Sequence, residues 1–202
     1  MIHPHTELRY LSAEKGYGVI ATQFIPKGTI TWIADELDQV FSVERLKKMP
    51  FELRTIIDKY SYRDSNGEFI LCWDHARFIN HSFSANCITT AYNFDMAVRD
   101  IQPGEELTND YGYLNMSRPL HFAPEEGNSR QSVTPDDLLH FHAEWDAKLI
   151  NAFRYFNGVE QPLAKFIEEK HTERVRDVSA GRQPMDSILN CYYTKAKRKE
   201  AA

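Results

Sequence analysis

Residues 77–87 read RFINHSFSANC, and this stretch says more about the fold than any other part of the chain. It contains two asparagines, one histidine and two serines beside the apolar pair Phe78 and Ile79. Polar side chains among apolar ones need hydrogen-bond partners, which either the fold or a ligand can supply. The stretch alone therefore fits an asparagine-rich turn as well as a binding site. Other stretches of the sequence are needed to choose between these two interpretations.

Two further stretches stand on either side of it. Lys15-Gly16-Tyr17-Gly18 opens a predicted strand, and its glycines allow either a tight turn or a close approach of a ligand to the backbone. Residues 104–113 read GEELTNDYGY. In an extended segment Tyr111 and Tyr113 would face the same way, and tyrosines on one wall of a channel suit an amine or a cation.

Short β-type runs broken by turn residues characterise the first half of the chain. A turn is predicted at Asn93-Phe94-Asp95. One helical stretch, Ser42–Lys59, interrupts the strands, with Ser42 as its N-cap and a break at Pro50. The predicted strands are Gly18–Phe24, Thr29–Ile33, Glu68–Trp73, Cys87–Tyr92 and Met96–Asp100.

The second half reads as helix. An apolar stripe with helical spacing follows Pro135 and ends near Gly158. Further helices are predicted at Pro162–Val178 and Met185–Lys199, and Ala123–Thr134 is predicted to be a mobile linker. This order predicts an α+β protein with a β-rich domain at residues 1–116 and a helical region at 117–202.

Composition and charge narrow the class of protein. The 202 residues carry a net charge of −5, all of it within residues 1–116. The start of the chain lacks the pattern of a secretory signal, and no apolar run could span a membrane. Three scattered cysteines without CxxC spacing indicate a reducing compartment, so a cytoplasmic location is expected. The acidity argues against direct nucleic-acid binding and suits a cationic peptide.

Together, the three stretches resemble the SET domain of protein lysine methyltransferases, and the resemblance covers about residues 6–116. Residues 77–87 are similar to the family signature R-F-I-N-H-S-C-x-P-N-C, and residues 104–111 resemble G-E-E-L-T-[FY]-D-Y. Residues 32–41 and the helix after them look most like compact bacterial members. The resemblance implies short strands in small sheets with a knot-like C-terminal segment, followed here by the helical region.

The resemblance also implies a function and a site. It implies S-adenosyl-L-methionine as cofactor and transfer of its methyl group to a lysine side chain of a protein substrate. Tyr111 and Tyr113 would orient the neutral amine at the methyl group. The implied cofactor-binding residues are Lys15, Gly16, Tyr17, Gly18, Asn80, His81 and Tyr111.

The chain departs from the family at a possible zinc site. Phe83 replaces a cysteine that joins a downstream cluster in zinc-containing members, and after Tyr111 only Cys191 remains. The helical region Asp136–Lys199 is either the replacement for this cluster or a plain packing domain. Cys72, His75, His81 and Cys87 could be read as zinc ligands, but they lack the paired short spacings of such sites. We therefore expect no metal.

Other departures leave the activity and its extent open. Ala85 replaces a proline, Asn109 replaces the aromatic residue before Asp110-Tyr111, and a Y-x-G motif near residues 32–37 is not evident. A SET-fold interaction module without turnover is the main alternative to the enzyme. Methylation of a small amine or a target other than lysine is a further one. The number of methyl groups transferred is not predicted.

Overall fold

Twelve short strands and four helices make up residues 1–194, the part of the chain that the computed structural model describes. The strands are β1 (Thr6–Ser12), β2 (Gly16–Ala21), β3 (Ile30–Ile33), β4 (Gln39–Phe41), β5 (Tyr62–Arg63), β6 (Phe69–Leu71), β7 (Asn80–His81), β8 (Cys87–Thr89), β9 (Phe94–Ala97), β10 (Glu106–Asn109), β11 (Leu120–His121) and β12 (Ser132–Val133). The helices are α1 (Val43–Lys47), α2 (Phe51–Tyr60), α3 (Asp137–Phe153) and α4 (Glu169–Ser179). Short 3₁₀ turns occur at His75–Phe78, Tyr111–Tyr113, Phe156–Gly158, Ala164–Phe166 and Ile188–Cys191.

Strand β10 is where the three motif stretches meet. The largest sheet has the order β1-β2-β10-β8-β9-β3, and β7 also pairs with β10. Leu107 of β10 lies opposite Val19 of β2 in an antiparallel pair. Thr108 lies opposite Asn80 in a parallel pair with β7, and the same strand pairs in parallel with β8. This pairing brings the motif stretches together, and the α+β class with small sheets is confirmed. The knot-like path that the resemblance implies stays a prediction.

The central strands are recognisable from their apolar runs. All four residues of β9 are buried, as expected for a strand covered on both faces. The turn that precedes this strand ends at Asn93, which has a φ of 61°. The predicted turn at Asn93–Asp95 is therefore wrong by two residues, because Phe94 and Asp95 already belong to the strand.

The helical stretch in the first half is confirmed as two helices. The Ser42 hydroxyl accepts a hydrogen bond from the Arg45 N–H at 3.2 Å, so Ser42 caps α1 as predicted. Pro50 stands at the start of α2, because its ring fixes φ and it lacks the N–H that an interior position would need.

Helix α3 joins the two halves through one apolar core. Its predicted stripe is confirmed, since Trp145, Leu149 and Phe153 are buried with residues of β8 and β9 such as Ile88 and Met96. The core is thus continuous across residue 116. A division of the chain at that residue stays a prediction.

The later helices are shorter than predicted. Residues 164–166 form a 3₁₀ turn, so α4 begins only at Glu169. In the predicted helix Met185–Lys199, only a 3₁₀ turn at Ile188–Cys191 forms, and residues 195–199 lie outside the described part. Asp146 of α3 accepts hydrogen bonds from the Ser187 hydroxyl at 2.6 Å and the Ile188 N–H at 2.8 Å. These tertiary contacts, together with the burial of Ile188, fix the segment in a non-helical path.

Candidate active site

The Glu106 carboxylate connects two of the stretches that contain predicted cofactor-binding residues. The Asn80 side-chain amide donates to Glu106 Oε1 at 2.7 Å and to the Tyr17 carbonyl at 3.0 Å. The Lys15 ammonium donates to Glu106 Oε2 at 3.3 Å. Glu106 therefore ties the hairpin that contains Gly16 and Gly18 to the stretch that contains Asn80.

The two glycines of the hairpin have different surroundings. A Cβ placed on Gly18 would lie 2.5 Å from Leu11 Cδ1 and 2.7 Å from Glu106 Oε1, so a side chain here would displace both of these groups. Gly16 has a φ of +74°, and a Cβ at that position would meet no atom within 4 Å. The backbone at Gly16 thus faces open space, as a surface that receives a ligand must.

His81 presents a buried hydrogen-bond donor that has no partner. Its Nδ1 accepts a hydrogen bond from the Tyr111 N–H at 3.1 Å. Burial, reinforced by the charge of Arg130, lowers the pKa of His81 to about 4, so the ring is neutral near pH 7. A neutral ring that accepts at Nδ1 carries its proton on Nε2. Within residues 1–194 this buried Nε2 has no hydrogen-bond partner, so it is available to an acceptor on a ligand.

Aromatic rings enclose the imidazole of His81. Its centroid lies 4.0 Å from the ring of Phe122 and 4.3 Å from that of Phe83. Phe83 is the residue that replaces the family cysteine, and its position on His81 gives it a packing role. A flat ligand that reaches Nε2 would lie against this aromatic group.

Tyr111 connects the His81 side of the site to a cavity. Its backbone N–H binds His81, and its hydroxyl donates to the Ile79 carbonyl at 2.9 Å. Burial, followed by the nearby charge of Glu106, raises the pKa of Tyr111 to about 12, so the phenol stays protonated at neutral pH. The residue also lines the cavity described below.

Tyr113 points elsewhere. Residues 111–113 form a 3₁₀ turn, so the expectation that the two tyrosines face the same way from an extended segment is wrong. The side chain of Tyr113 is 1% exposed, and its hydroxyl donates to the Cys87 carbonyl at 2.9 Å and accepts from the Asp110 N–H at 3.0 Å. It is not among the residues that line the cavity, so its geometry favours a structural role.

The cavity has a volume of about 440 Å³. Residues at the end of α2, the turn that precedes Ile79, Tyr111 and residues 114–120 form its walls. At its exposed side Arg118 lies 3.4 Å from Asp58. The buried residues that line it, and so mark its inner end, include Trp32, Cys72, Asp95 and Asn109.

The segment predicted to be a mobile linker is instead attached to the site. The Glu125 carboxylate accepts hydrogen bonds from the Ser82 hydroxyl at 2.9 Å and from the N–H groups of Phe83 and Ser84, each at 3.2 Å. Arg130 binds the carboxylates of Asp110 and Asp137. Residues 122–130 are therefore attached to the stretch that contains His81 and Phe83. Residues 1–194 contain no group of three or more metal-binding side chains.

Acid should destabilise the protein through two buried histidines. Burial lowers the pKa of both His3 and His81 to about 4, below the ordinary value of 6.5. The unfolded chain therefore binds more protons between pH 6.5 and 4, and the free energy of unfolding falls as the pH falls through that window. We expect a loss of roughly 1.4 kcal/mol per histidine between pH 7.5 and 5.5 in urea titrations.

The contribution of His81 can be isolated by comparing how steeply the free energy of unfolding changes with pH in different variants. His81→Gln should reduce the pH-dependent loss by roughly 1.4 kcal/mol, because one histidine with a strongly lowered pKa is then absent. The matched control, His140→Gln, changes an exposed histidine of α3 and should leave the loss intact. Equal slopes in wild type and His81→Gln would contradict the assignment.

Comparison with known proteins gives this arrangement a family. The sequence profile named "SET domain" matches residues 16–112, which contain all three motif stretches. Residues 16–112 correspond to a SET domain. The histone-lysine N-methyltransferase ash1 of Drosophila melanogaster is 27% identical over 138 residues, which is 63% of this chain and 6% of that protein. The histone-lysine N-methyltransferase ASHH2 of Arabidopsis thaliana is 26% identical over 121 residues, or 54% of this chain and 7% of that protein.

These relatives are much longer than the chain, which spans less than a tenth of their length. A solved Plasmodium falciparum structure described as a histone methyltransferase matches with 22% identity and a TM-score of 0.39, over 55% of this chain and 95% of that one. The SET domain profile ends at residue 112, so Arg130, Glu125 and Phe122 lie outside the match. No helix within residues 1–194 is long and apolar enough to cross a membrane.

Proposed function

We propose that the protein transfers a methyl group from S-adenosyl-L-methionine to a lysine side chain of a protein substrate. The observation that supports this most directly is the position of Tyr111. Its backbone N–H binds His81, one of the proposed cofactor residues, and its side chain lines the cavity that would hold the target amine. One residue thus touches both halves of the proposed reaction site.

The described residues fit the proposed cofactor. The open face of Gly16 leaves space along the backbone, and the buried Nε2–H of His81 is a donor for a ring nitrogen or a carbonyl oxygen. When bound, the cofactor would supply a methyl group already activated on a sulfonium sulfur. Lys15, Tyr17, Gly18 and Asn80 would support it through the hairpin that Glu106 holds.

The protein's own task is then alignment and desolvation. A target lysine must lose a proton before its nitrogen can attack, and a partly buried cavity favours the neutral amine. Walls that hold the amine in line with the methyl group supply most of the remaining rate enhancement. Tyr111 would orient the nitrogen, while the role proposed for Tyr113 is to hold the turn that presents Tyr111.

The proposed substrate is a lysine-bearing protein. The names of both curated relatives specify histone lysine as their target. For this chain, the net charge of −5 favours a cationic segment around the lysine. A cytoplasmic location, the absence of direct nucleic-acid binding and the likeness to compact bacterial members stay predictions.

A second candidate is a SET-fold interaction module without turnover. The observation that favours it is the contact between Phe122 and His81, whose rings lie 4.0 Å apart. Phe122 covers one face of the imidazole, so an adenine ring would need this side chain to move. This module could bind a partner or the cofactor itself, so the two functions are separated by whether a protein that binds the cofactor also transfers its methyl group.

Calorimetric titration with S-adenosyl-L-methionine tests the proposal. We expect one-to-one binding to the wild type, and at least tenfold weaker binding to Gly16→Ala, because the new methyl group would occupy the open face of the hairpin. The matched control is Gly181→Ala. Gly181 has a φ of +70° and equally open surroundings, but it lies far along the chain, after α4.

Both variants place a side chain at positive φ, so each should lose a similar stability of about 1–2 kcal/mol. A selective loss of cofactor affinity in Gly16→Ala therefore reflects the site. Equal affinities in the two variants would remove Gly16 from the cofactor site. No binding to the wild type at millimolar cofactor would reject the enzyme and leave the interaction module.

A further inference from the structure

Asp95 is a buried carboxylate at the inner end of the cavity. It is 4% exposed, and in the sheet it lies opposite Trp32 on one side and Thr89 on the other. All three residues line the cavity. Asp95 Oδ2 accepts a hydrogen bond from the Asn109 side-chain amide at 2.8 Å, and Thr89 provides a second hydrogen bond.

This carboxylate has no cationic partner within residues 1–194. The nearby ionisable groups are acids whose pKa burial raises, so they are neutral near pH 7; they are Tyr62, Cys72, Cys87, Tyr113 and Cys191. The N-terminal ammonium acts on Asp95 only at long range, because its ion pairs are with Asp35 and Asp74. Burial correspondingly raises the pKa of Asp95. A buried carboxylate without a counter-ion is costly unless a proton or a bound cation neutralises it.

Two further polar atoms at the inner end are unpaired. Asn109 uses its amide N–H to bind Asp95, and its Oδ1 has no partner in the described part of the chain, although the residue is only 8% exposed. The same is true of Trp32 Nε1, in a side chain that is 4% exposed. A carboxylate without a counter-ion and a neutral acceptor therefore lie next to each other among aromatic walls.

We propose that Asp95 and Asn109 together receive the ammonium end of an alkylammonium group, and that they select groups which retain at least two N–H bonds. Asp95 would form a charge-assisted hydrogen bond and Asn109 Oδ1 a second, neutral one. The ammonium is the state in which the amine would be received, before the proton loss that methyl transfer requires. An unmethylated or monomethylated amine satisfies both acceptors, whereas a trimethylated amine satisfies neither. The identity of this group as a lysine side chain rests on the proposed function, but the binding chemistry does not.

The test uses small probes without cofactor. Titrations of the wild type should show n-butylammonium binding at least tenfold more tightly than N-butyl-N,N,N-trimethylammonium, which has the same charge and chain but no N–H. Asp95→Asn, nearly identical in shape, should weaken n-butylammonium binding at least tenfold and abolish the preference. Asp38→Asn is the charge control, since Asp38 is a partly buried acid that does not line the cavity, and it should change the affinity less than twofold.

Each outcome decides the proposal. The melting temperature of Asp95→Asn should be no lower than that of the wild type, because an unpaired buried carboxylate is removed. If that variant fails to fold, Asn109→Leu, which removes the neutral acceptor, should still reduce the preference between the probes at least threefold. Equal binding of both probes, or an affinity unchanged by Asp95→Asn, would overturn the inference. Selective amine binding in a protein that transfers no methyl group would reject the proposed function and keep the inference.

Discussion

Tyr111→Phe should reduce methyl transfer at least about 100-fold while leaving the affinity for S-adenosyl-L-methionine within twofold. The substitution removes only the hydroxyl, which binds the Ile79 carbonyl and thereby fixes the ring in the cavity wall. The backbone N–H that binds His81 is retained, so the cofactor side should be unaffected. Transfer of labelled methyl groups to a lysine peptide array, together with calorimetry, measures both effects.

Tyr113→Phe is the matched control, and the structure predicts the opposite result for it. Its hydroxyl binds the Cys87 carbonyl and the Asp110 N–H in the core, so its loss should cost about 1–3 kcal/mol of unfolding free energy. Turnover per folded molecule should fall only a few-fold. Full activity of Tyr111→Phe would contradict its proposed role. A larger loss of turnover in Tyr113→Phe than in Tyr111→Phe would assign the orienting role to Tyr113 and the structural role to Tyr111.

The residues that recur in family motifs could be predicted because motif chemistry is local. The family motifs predicted Asn80, His81 and Tyr111. These residues lie close together because the stretches that contain them pair at β10 or follow it directly. The separation of Tyr111 from Tyr113 could not be predicted in the same way. The residues after Asp110 form a 3₁₀ turn, stabilised by the Asp110 carboxylate accepting from the Gly112 N–H at 2.9 Å, which rotates the two side chains apart.

Asp95 was missed for a different reason. Asparagine and aspartate are both typical of turns, and they stand two residues apart here, so local preference assigns Asn93–Asp95 to a turn. In the structure the strand begins at Phe94, because burial of Phe94 and Met96 fixes the register and places Asp95 in the sheet beside the cavity. The signal available in the sequence was an acid within the apolar run FDMAV. Local preference alone could not show that this position is buried.

The attachment of residues 122–130 depends on contacts that are distant in sequence. Glu125 binds the backbone of residues 83 and 84, some 40 positions earlier, and nothing in its own neighbourhood predicts this. A stretch rich in Glu, Gly, Asn and Ser has the composition of a linker whether or not it is anchored. Helix α3 was predictable because its periodic apolar stripe is a local pattern. The strands β8 and β9, against which the stripe packs, could not be predicted from that pattern.

Arg130→Met should destabilise the protein by about 3–5 kcal/mol, because it leaves two buried carboxylates without their counter-ion. Arg130 binds Asp110 and, at 2.6 Å, Asp137, and its guanidinium also lies against the rings of Phe83 and Phe141. Methionine retains much of the apolar contact and removes the charge. The control is Arg118→Met in the exposed pair with Asp58, where we expect about 1 kcal/mol or less. Urea titrations at pH 7.5 measure both.

The same substitution should also reduce catalysis beyond the loss of folded protein. Asp110 caps the turn that contains Tyr111, so an uncompensated charge on Asp110 should displace that turn. Adding Asp137→Asn to Arg130→Met removes one of the two unpaired carboxylates and should recover part of the stability, but the unpaired Asp110 remains and turnover should stay low. If the double variant recovers stability and turnover in parallel, Arg130 acts only on folding. If Arg130→Met is no less stable than Arg118→Met, the buried pairs do not anchor the segment to the SET domain.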